Sequence, residues 1–425
     1  MQKIKGAARA YSWGSKSLIP QLQGKPEATH PIAELWYGAH PGLPSPLETP
    51  QGSAQNLHDL IADNPDAELG AKVSTSFAAR LPFLLKILAA AEPLSLQAHP
   101  SKSQAEEGFA RENTAGLPID APERSYKDDN HKPELIVALT DFYAMAGFRP
   151  LAETRVLVSA LGSQELMRSF DMLVPSGELD ERAESDSMRA LFTTWISFPA
   201  PMRKKLIGDV IESARSYLHE SHSESPEWIA GVLRTVVSLD EQYPGDIGVL
   251  GALLLNHIHL APGEALYLDA GQLHAYVRGL GVEIMANSDN VLRGGLTPKF
   301  VNVSELVKVL TFAAEEDPRV SPTRLNAESR GIENALQTKV YSYPVPINEF
   351  ALNVCEMEPS GSVTVNPEGP AIVLVTQGEL TLTDAYGGES TIGPTEAVWI
   401  SNAEEAVELA AGAGAAQVFI ASVGS

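Results

Sequence analysis

Closely spaced apolar residues first occur in two proline-led runs, Pro82 to Ala90 (PFLLKILAA) and Pro93 to His99, and both predict strands. Alternation along the second run puts Leu94, Leu96 and Ala98 on one face and Ser95, Gln97 and His99 on the other. Gln97 and His99 therefore point the same way, two residues apart. A loop rich in Pro, Asp and charge follows, and a further strand is predicted from Glu134 to Ala144. Between 151 and 245 the period changes. Leu206, Ile207, Val210, Ile211, Ala214, Tyr217 and Leu218 recur at helical spacing, as do Trp228, Ile229, Val232, Leu233, Val236 and Val237, with Pro226 near the start of the second helix. This block reads as a helical insert. Strand-like patterning returns from Val249 to Tyr276, and a helix is predicted at Val303 to Val309. From about 320 onward, apolar runs at Ala371–Thr376, Glu379–Thr383, Ala397–Ile400, Ala406–Leu409 and Gln417–Ala421 are separated by Gly-rich turns, the pattern of an antiparallel barrel or sandwich. The fold class is mainly β with an α insert.

Composition narrows the functional classes. The net charge is −23 over 425 residues, which argues against nucleic acid as a partner and makes any phosphate site a local exception built from clustered Lys and Arg. A single cysteine, Cys355, excludes an intrachain disulfide. No run is long and apolar enough for a signal peptide or a membrane span, so a cytoplasmic protein with no membrane partner is expected, with a monomer as the default state.

The candidate chemistry gathers around Gln97 and His99. A Gln-x-His pair on one strand face can chelate a metal at ~2.0–2.2 Å per ligand, and Glu134, in HKPEL, adds a carboxylate. His274, in DAGQLHAYV, follows Gly271, which permits a tight turn. Lys102 and Lys132 place cations beside these groups. Gly251 to Gly271 also matches the first cupin motif, with His257, His259 and Glu264 at nominal ligand spacing. That set lacks a fourth ligand, because His274 lies too close and no histidine follows it, so His257 and His259 are expected to be ordinary strand residues.

Three segments, LPFLLKILAAAEPLSLQAHPSK, RSYKDDNHKPELIVALTDFYAMAGFR and HAYVRGLGVEIMANSDNVLRGGLTPK, closely resemble the type I mannose-6-phosphate isomerases, as do AYSWGSKSLIP and AELWYGAHPGLPS near the N-terminus. The resemblance implies a cupin (jelly-roll) catalytic domain in two parts, 1–150 and 246–318, an inserted helical domain at 151–245, and a second cupin-like domain at 319–425. It also implies one zinc ion on Gln97, His99, Glu134 and His274, and a small sugar phosphate as substrate. Arg293 falls on an arginine that is catalytic in the family. Ser101 stands where Asp or Asn is common, and Arg278 and Leu280 lie in a variable loop.

An aldose–ketose isomerase must acidify a carbon next to a carbonyl and move a proton between C1 and C2. Arg293 stays protonated, so it is expected to stabilise the enediolate. Lys132 and Glu283 are both candidates for moving the proton. Ser101, Lys102 and Lys299 are the expected phosphate contacts, and Trp13 and Tyr276 are candidates to line the sugar cleft. Two other readings use the same residues. A cupin iron oxygenase would need only two His and one carboxylate, and the surrounding lysines and arginine disfavour it. A non-catalytic sugar-phosphate sensor would have lost its chemical groups, and here they are all present.

Overall fold

A computed structural model describes residues 1–48, 55–220, 226–315, 317–325, 331–366 and 368–424. The apolar runs fold into two antiparallel sheets. One long strand, His274–Ala286, organises the first. Its second half pairs with Phe83–Ala90 and Glu134–Ala138. Its first half pairs with Leu96–Ala98 and Phe142–Phe148. A single strand therefore runs through both faces of a barrel-like sheet, and residues far apart in sequence meet inside. The barrel interior is filled by Leu88, Ile136, Phe142, Ala144, Ile258, Leu266 and Tyr276.

The two helices that the period predicts form as Ala200–His219 and Glu227–Gln242, and three more precede them, Leu151–Leu161, Gln164–Leu173 and Glu181–Ile196. Ser163 and Asp180 cap two of them by accepting from backbone N–H groups three residues on. Trp195, Leu191, Val210 and Leu233 form the insert's core, which is continuous with Leu96 and Ala98 on the outer side of the barrel. The strand run expected from Val249 begins instead with a short helix, Gly248–Ala252, and strands follow at Leu255–Leu260 and Ala265–Leu268. A short continuous apolar run fits either element, and here packing on the insert selects the helix. The strand expected from Glu134 to Ala144 is two strands with a turn at Leu139–Asp141.

The second sheet, built from the C-terminal strands, packs on the first through Tyr343, Phe350, Trp399 and Phe419 against Leu35, Phe83 and Leu85. Its own interior holds Cys355, Val373, Val398 and Val418. One strand crosses between the halves: Gln2–Ile4 pairs with Ala397–Trp399 and so adds an edge to the C-terminal sheet. No helix among the described residues is long and apolar enough to cross a membrane.

Candidate metal centre

Strand alternation turns Gln97 away from Leu96 and Ala98, which pack on the insert, and into the barrel mouth. Gln97 lies opposite His274 on one side and Arg293 on the other. Glu134 opens the neighbouring strand beside Met285 and Leu268. Gly271, at φ +81°, makes the turn that delivers His274, and a Cβ there would sit 2.6 Å from the Thr311 hydroxyl.

The side chains converge. The Nε2 atoms of His99 and His274 each lie 3.4 Å from a different oxygen of Glu134, and the two rings are 5.1 Å apart between centroids. All three residues are at most 3% exposed. His99 donates Nδ1–H to the Asn290 carbonyl at 2.6 Å, and His274 donates Nδ1–H to the Gln272 carbonyl at 3.0 Å. In each ring Nδ1 is thereby engaged and Nε2 is the nitrogen left to face its neighbours. His99 Nε2, His274 Nε2 and Glu134 Oε2 have no hydrogen-bond partner. Three orphaned buried acceptors within 4.8 Å of one another are costly unless a cation satisfies them. Burial pushes the His99 imidazole down to about 4, more than the Glu134 carboxylate raises it. Burial opposes the charge on Glu134, but His99 and Lys132 hold its carboxyl well below the ordinary range. Two imidazoles and one carboxylate, with the Gln97 amide beside them, suit a zinc-like dication.

Lys132 lies 3.5 Å from Glu134. Deeper in the barrel, Glu283 accepts from Lys86 at 2.7 Å and from the Tyr276 hydroxyl at 2.9 Å. Lys86 also lies 3.7 Å from Glu34. Burial raises the Glu283 carboxyl, Lys86 opposes that rise, and Glu134 and Glu34 add to it, leaving it above the usual carboxylate range. Burial disfavours the charge on Lys86, yet Glu283 and Glu34 outweigh it and hold the ammonium well above the lysine norm. The sequence reading missed Lys86. Its signal was a lone cation inside PFLLKILAA, which must find a buried partner.

Asn290 was also missed. It is fully buried, and its amide binds the backbone of Lys127, Asp128 and Asn130 while its carbonyl holds His99. Asn290→Ala leaves several backbone groups of Lys127, Asp128 and Asn130 unpaired and loosens the loop whose main-chain carbonyl at 290 orients the His99 ring. Zinc affinity is expected to fall roughly 10–100-fold, read by competition with a chromophoric chelator. An unchanged affinity would make Asn290 a loop residue only.

Among the expected substrate contacts, Tyr276 is buried against Glu283. Trp13 stacks on Tyr11 and packs against the barrel-interior residues. Arg293 and Lys299 form a cationic group with Lys127. Burial, with Arg293 and Lys127 adding to it, holds Lys299 below the lysine norm. Ser101 and Lys102 have other partners than a phosphate. Ser101 caps the helix Lys102–Thr114 in a reciprocal box with Gln104. Lys102, 47% exposed, donates to the Asp129 carbonyl and pairs with Glu106. From the C-terminal half, Glu349 reaches His131, next to Lys132.

The chain resembles known proteins along its whole length. A model of the type I phosphomannose isomerase catalytic domain matches residues 1–151. The mannose-6-phosphate isomerase of Escherichia coli K12 is 36% identical over 386 residues, covering 90% of each chain. Mannose-6-phosphate isomerase 1 of Arabidopsis thaliana is 35% identical and covers 89% of this chain and 84% of its own. This chain belongs to the type I mannose-6-phosphate isomerase family. A zinc-bound crystal structure of mannose 6-phosphate isomerase superposes at a TM-score of 0.84 with 33% identity, covering 100% of this chain and 99% of the other. A variant of the Salmonella typhimurium phosphomannose isomerase, also 33% identical and fully covered on both sides, superposes at 0.85. The fold is the family's cupin architecture.

His257, His259 and Glu264 gather no metal site among the described residues. His257 donates Nε2–H to the Ala252 carbonyl at 2.9 Å, His259 pairs with Asp141 at 2.7 Å, and Glu264 accepts from the Ala261 N–H. Burial, with Arg149 adding to it, pushes His257 down to about 3. The unfolded chain takes up a proton at this residue near pH 6.5, while the folded chain refuses it until about pH 3. The His257 contribution therefore costs stability progressively as pH falls below 6.5. His257→Asn is expected to flatten the loss between pH 6.5 and 4 by roughly 3 kcal/mol, read by urea unfolding of both chains. Equal slopes would place the imidazole in contact with water.

Proposed function

We propose that this chain interconverts mannose 6-phosphate and fructose 6-phosphate, with one zinc ion held by Gln97, His99, Glu134 and His274. The observation that carries this is the set of buried, unpartnered donors on His99, Glu134 and His274, in a chain of the mannose-6-phosphate isomerase family. When bound there, zinc would supply Lewis acidity and a template for the sugar oxygens. The cationic group of Arg293, Lys299 and Lys127 favours an anionic substrate over oxygenase chemistry.

Each residue contributes by position. Glu283, raised by burial and oriented through both oxygens by Lys86 and Tyr276, is suited to move a proton near neutral pH. Lys132, with no hydrogen bond among the described residues, is the cation available to donate to a sugar oxygen. Arg293, half-buried and without an ion pair among the described residues, stabilises negative charge developing on the enediolate. Lys299 and Lys127 complete a cationic rim for the phosphate. In our reading residues 1–150 and 246–318 make the catalytic domain, 151–245 the insert and 319–425 the second cupin-like domain, in a cytoplasmic monomer.

A coupled assay for fructose 6-phosphate, run on the zinc-loaded protein, tests the reading, and no product from mannose 6-phosphate would sink it. In the same assay Arg293→Ala is expected to lower kcat about 10²-fold with little change in KM. A rise in KM alone would reassign Arg293 to phosphate binding.

A further inference from the structure

Outside the catalytic site, a cavity of about 660 Å³ opens between the outer face of the barrel and the helix Glu227–Gln242 of the insert. That volume lies within the range of small-molecule sites. The barrel wall is made by cross-strand neighbours: Tyr143 pairs with His259 and with Arg278. A bulge creates this wall. Tyr276 and Arg278 are two residues apart and would share a face in a regular strand, but the register shifts between them. Tyr276 thus remains inside, bonded to Glu283, while Arg278 lines the outer cavity.

The charges there are unusual for a chain of net −23. Arg149 is only 2% exposed, its guanidinium donates to the Leu253 and Leu255 carbonyls, and it stands 5.1 Å over the Trp228 ring. Among the described residues no carboxylate lies within 4 Å of it, and the field of Glu153, on the same cavity, supports its charge less than burial opposes it. A buried guanidinium without a counter-ion costs several kcal/mol unless an anion joins it. Arg278 lies 4.1 Å over the Tyr143 ring and makes no hydrogen bond or ion pair among the described residues. Glu153 lines the same cavity, and Arg234 there is paired with Glu227. Two arginines flattened on aromatic rings are therefore pre-set for an anionic group. Thr235, Ser238 and Gln242 on the helix wall offer partners for hydroxyls, and the rings of Trp228 and His259, on the sides away from Arg149 and Tyr143, offer surfaces for a planar group.

We infer that this cavity is a second ligand site, distinct from the catalytic centre, that binds a nucleotide: phosphate on Arg149 and Arg278, hydroxyls on the helix Glu227–Gln242, and the base against the aromatic side chains. Titration calorimetry of the zinc-loaded protein with ADP, at low salt, tests it. One-to-one saturable binding is expected, unaffected by saturating mannose 6-phosphate. Arg278→Glu is expected to raise Kd at least ten-fold while leaving turnover without ADP unchanged, and Thr235→Trp, which fills the cavity from the helix, should do the same. Absence of saturable binding overturns the inference. So does displacement of ADP by mannose 6-phosphate, which would locate it in the catalytic site, or an equal Kd in both variants.

Discussion

Stripping the metal with a chelator is expected to take isomerase turnover to background, and stoichiometric zinc to restore it. The expectation rests on the donors. His99 and His274 are held by their Nδ1 hydrogen bonds with Nε2 free, and Glu134 between them stays ionised well below neutrality. The site therefore exists before the ion arrives, so binding spends little on reorganising the protein. Metal binding to the folded chain alone also stabilises it, by about 4 kcal/mol at a free zinc concentration 1,000 times Kd. Thermal unfolding with and without zinc reads this second effect independently of activity. Full turnover in protein shown by metal analysis to be empty would remove the metal from the mechanism. An unchanged melting temperature would mean that the three orphaned atoms are satisfied by water instead.

The second large effect is expected at Lys86. In Lys86→Met, Glu283 and Glu34 lose their shared cation inside the barrel. Removing one partner of a buried pair costs about 3–5 kcal/mol. Glu283, already raised by burial, would rise further once Lys86 no longer opposes that rise, and turnover is expected to fall at least 100-fold. Two readouts separate catalysis from folding. The acid limb of the kcat–pH profile should move to higher pH, which a merely structural role would leave alone. The double variant Lys86→Met with Glu283→Gln should recover part of the lost stability, because one of the two carboxylates left without their cation is gone. An unmoved profile together with intact folding would place Lys86 outside the proton path.

The shared face of Gln97 and His99 was legible because a strand has period two, once Leu96 and Ala98 took the other face. The insert was legible because two of its helices, Ala200–His219 and Glu227–Gln242, repeat an apolar stripe. The Lys86–Glu283–Glu34 network was harder to read, since each residue stands alone inside its own apolar run and only the sheet register brings them together. Ser101 carried two meanings, phosphate contact or helix cap, and Gln104 three residues on was the signal for the cap. The outward turn of Arg278 depends on a bulge that no local pattern announces. Gly248–Ala252 was misread because Leu and Gly runs serve helix and strand equally.

The pairing of Gln2–Ile4 with Ala397–Trp399 has a consequence for biosynthesis. Almost the whole polypeptide must leave the ribosome before these two segments can meet, so the nascent catalytic half waits with one edge of its leading segment unpaired, the other edge bonding residues 46–48. Chaperone capture and early protease nicking should concentrate there during translation. A chain cut short before residue 397 would carry the same unsatisfied edge for good.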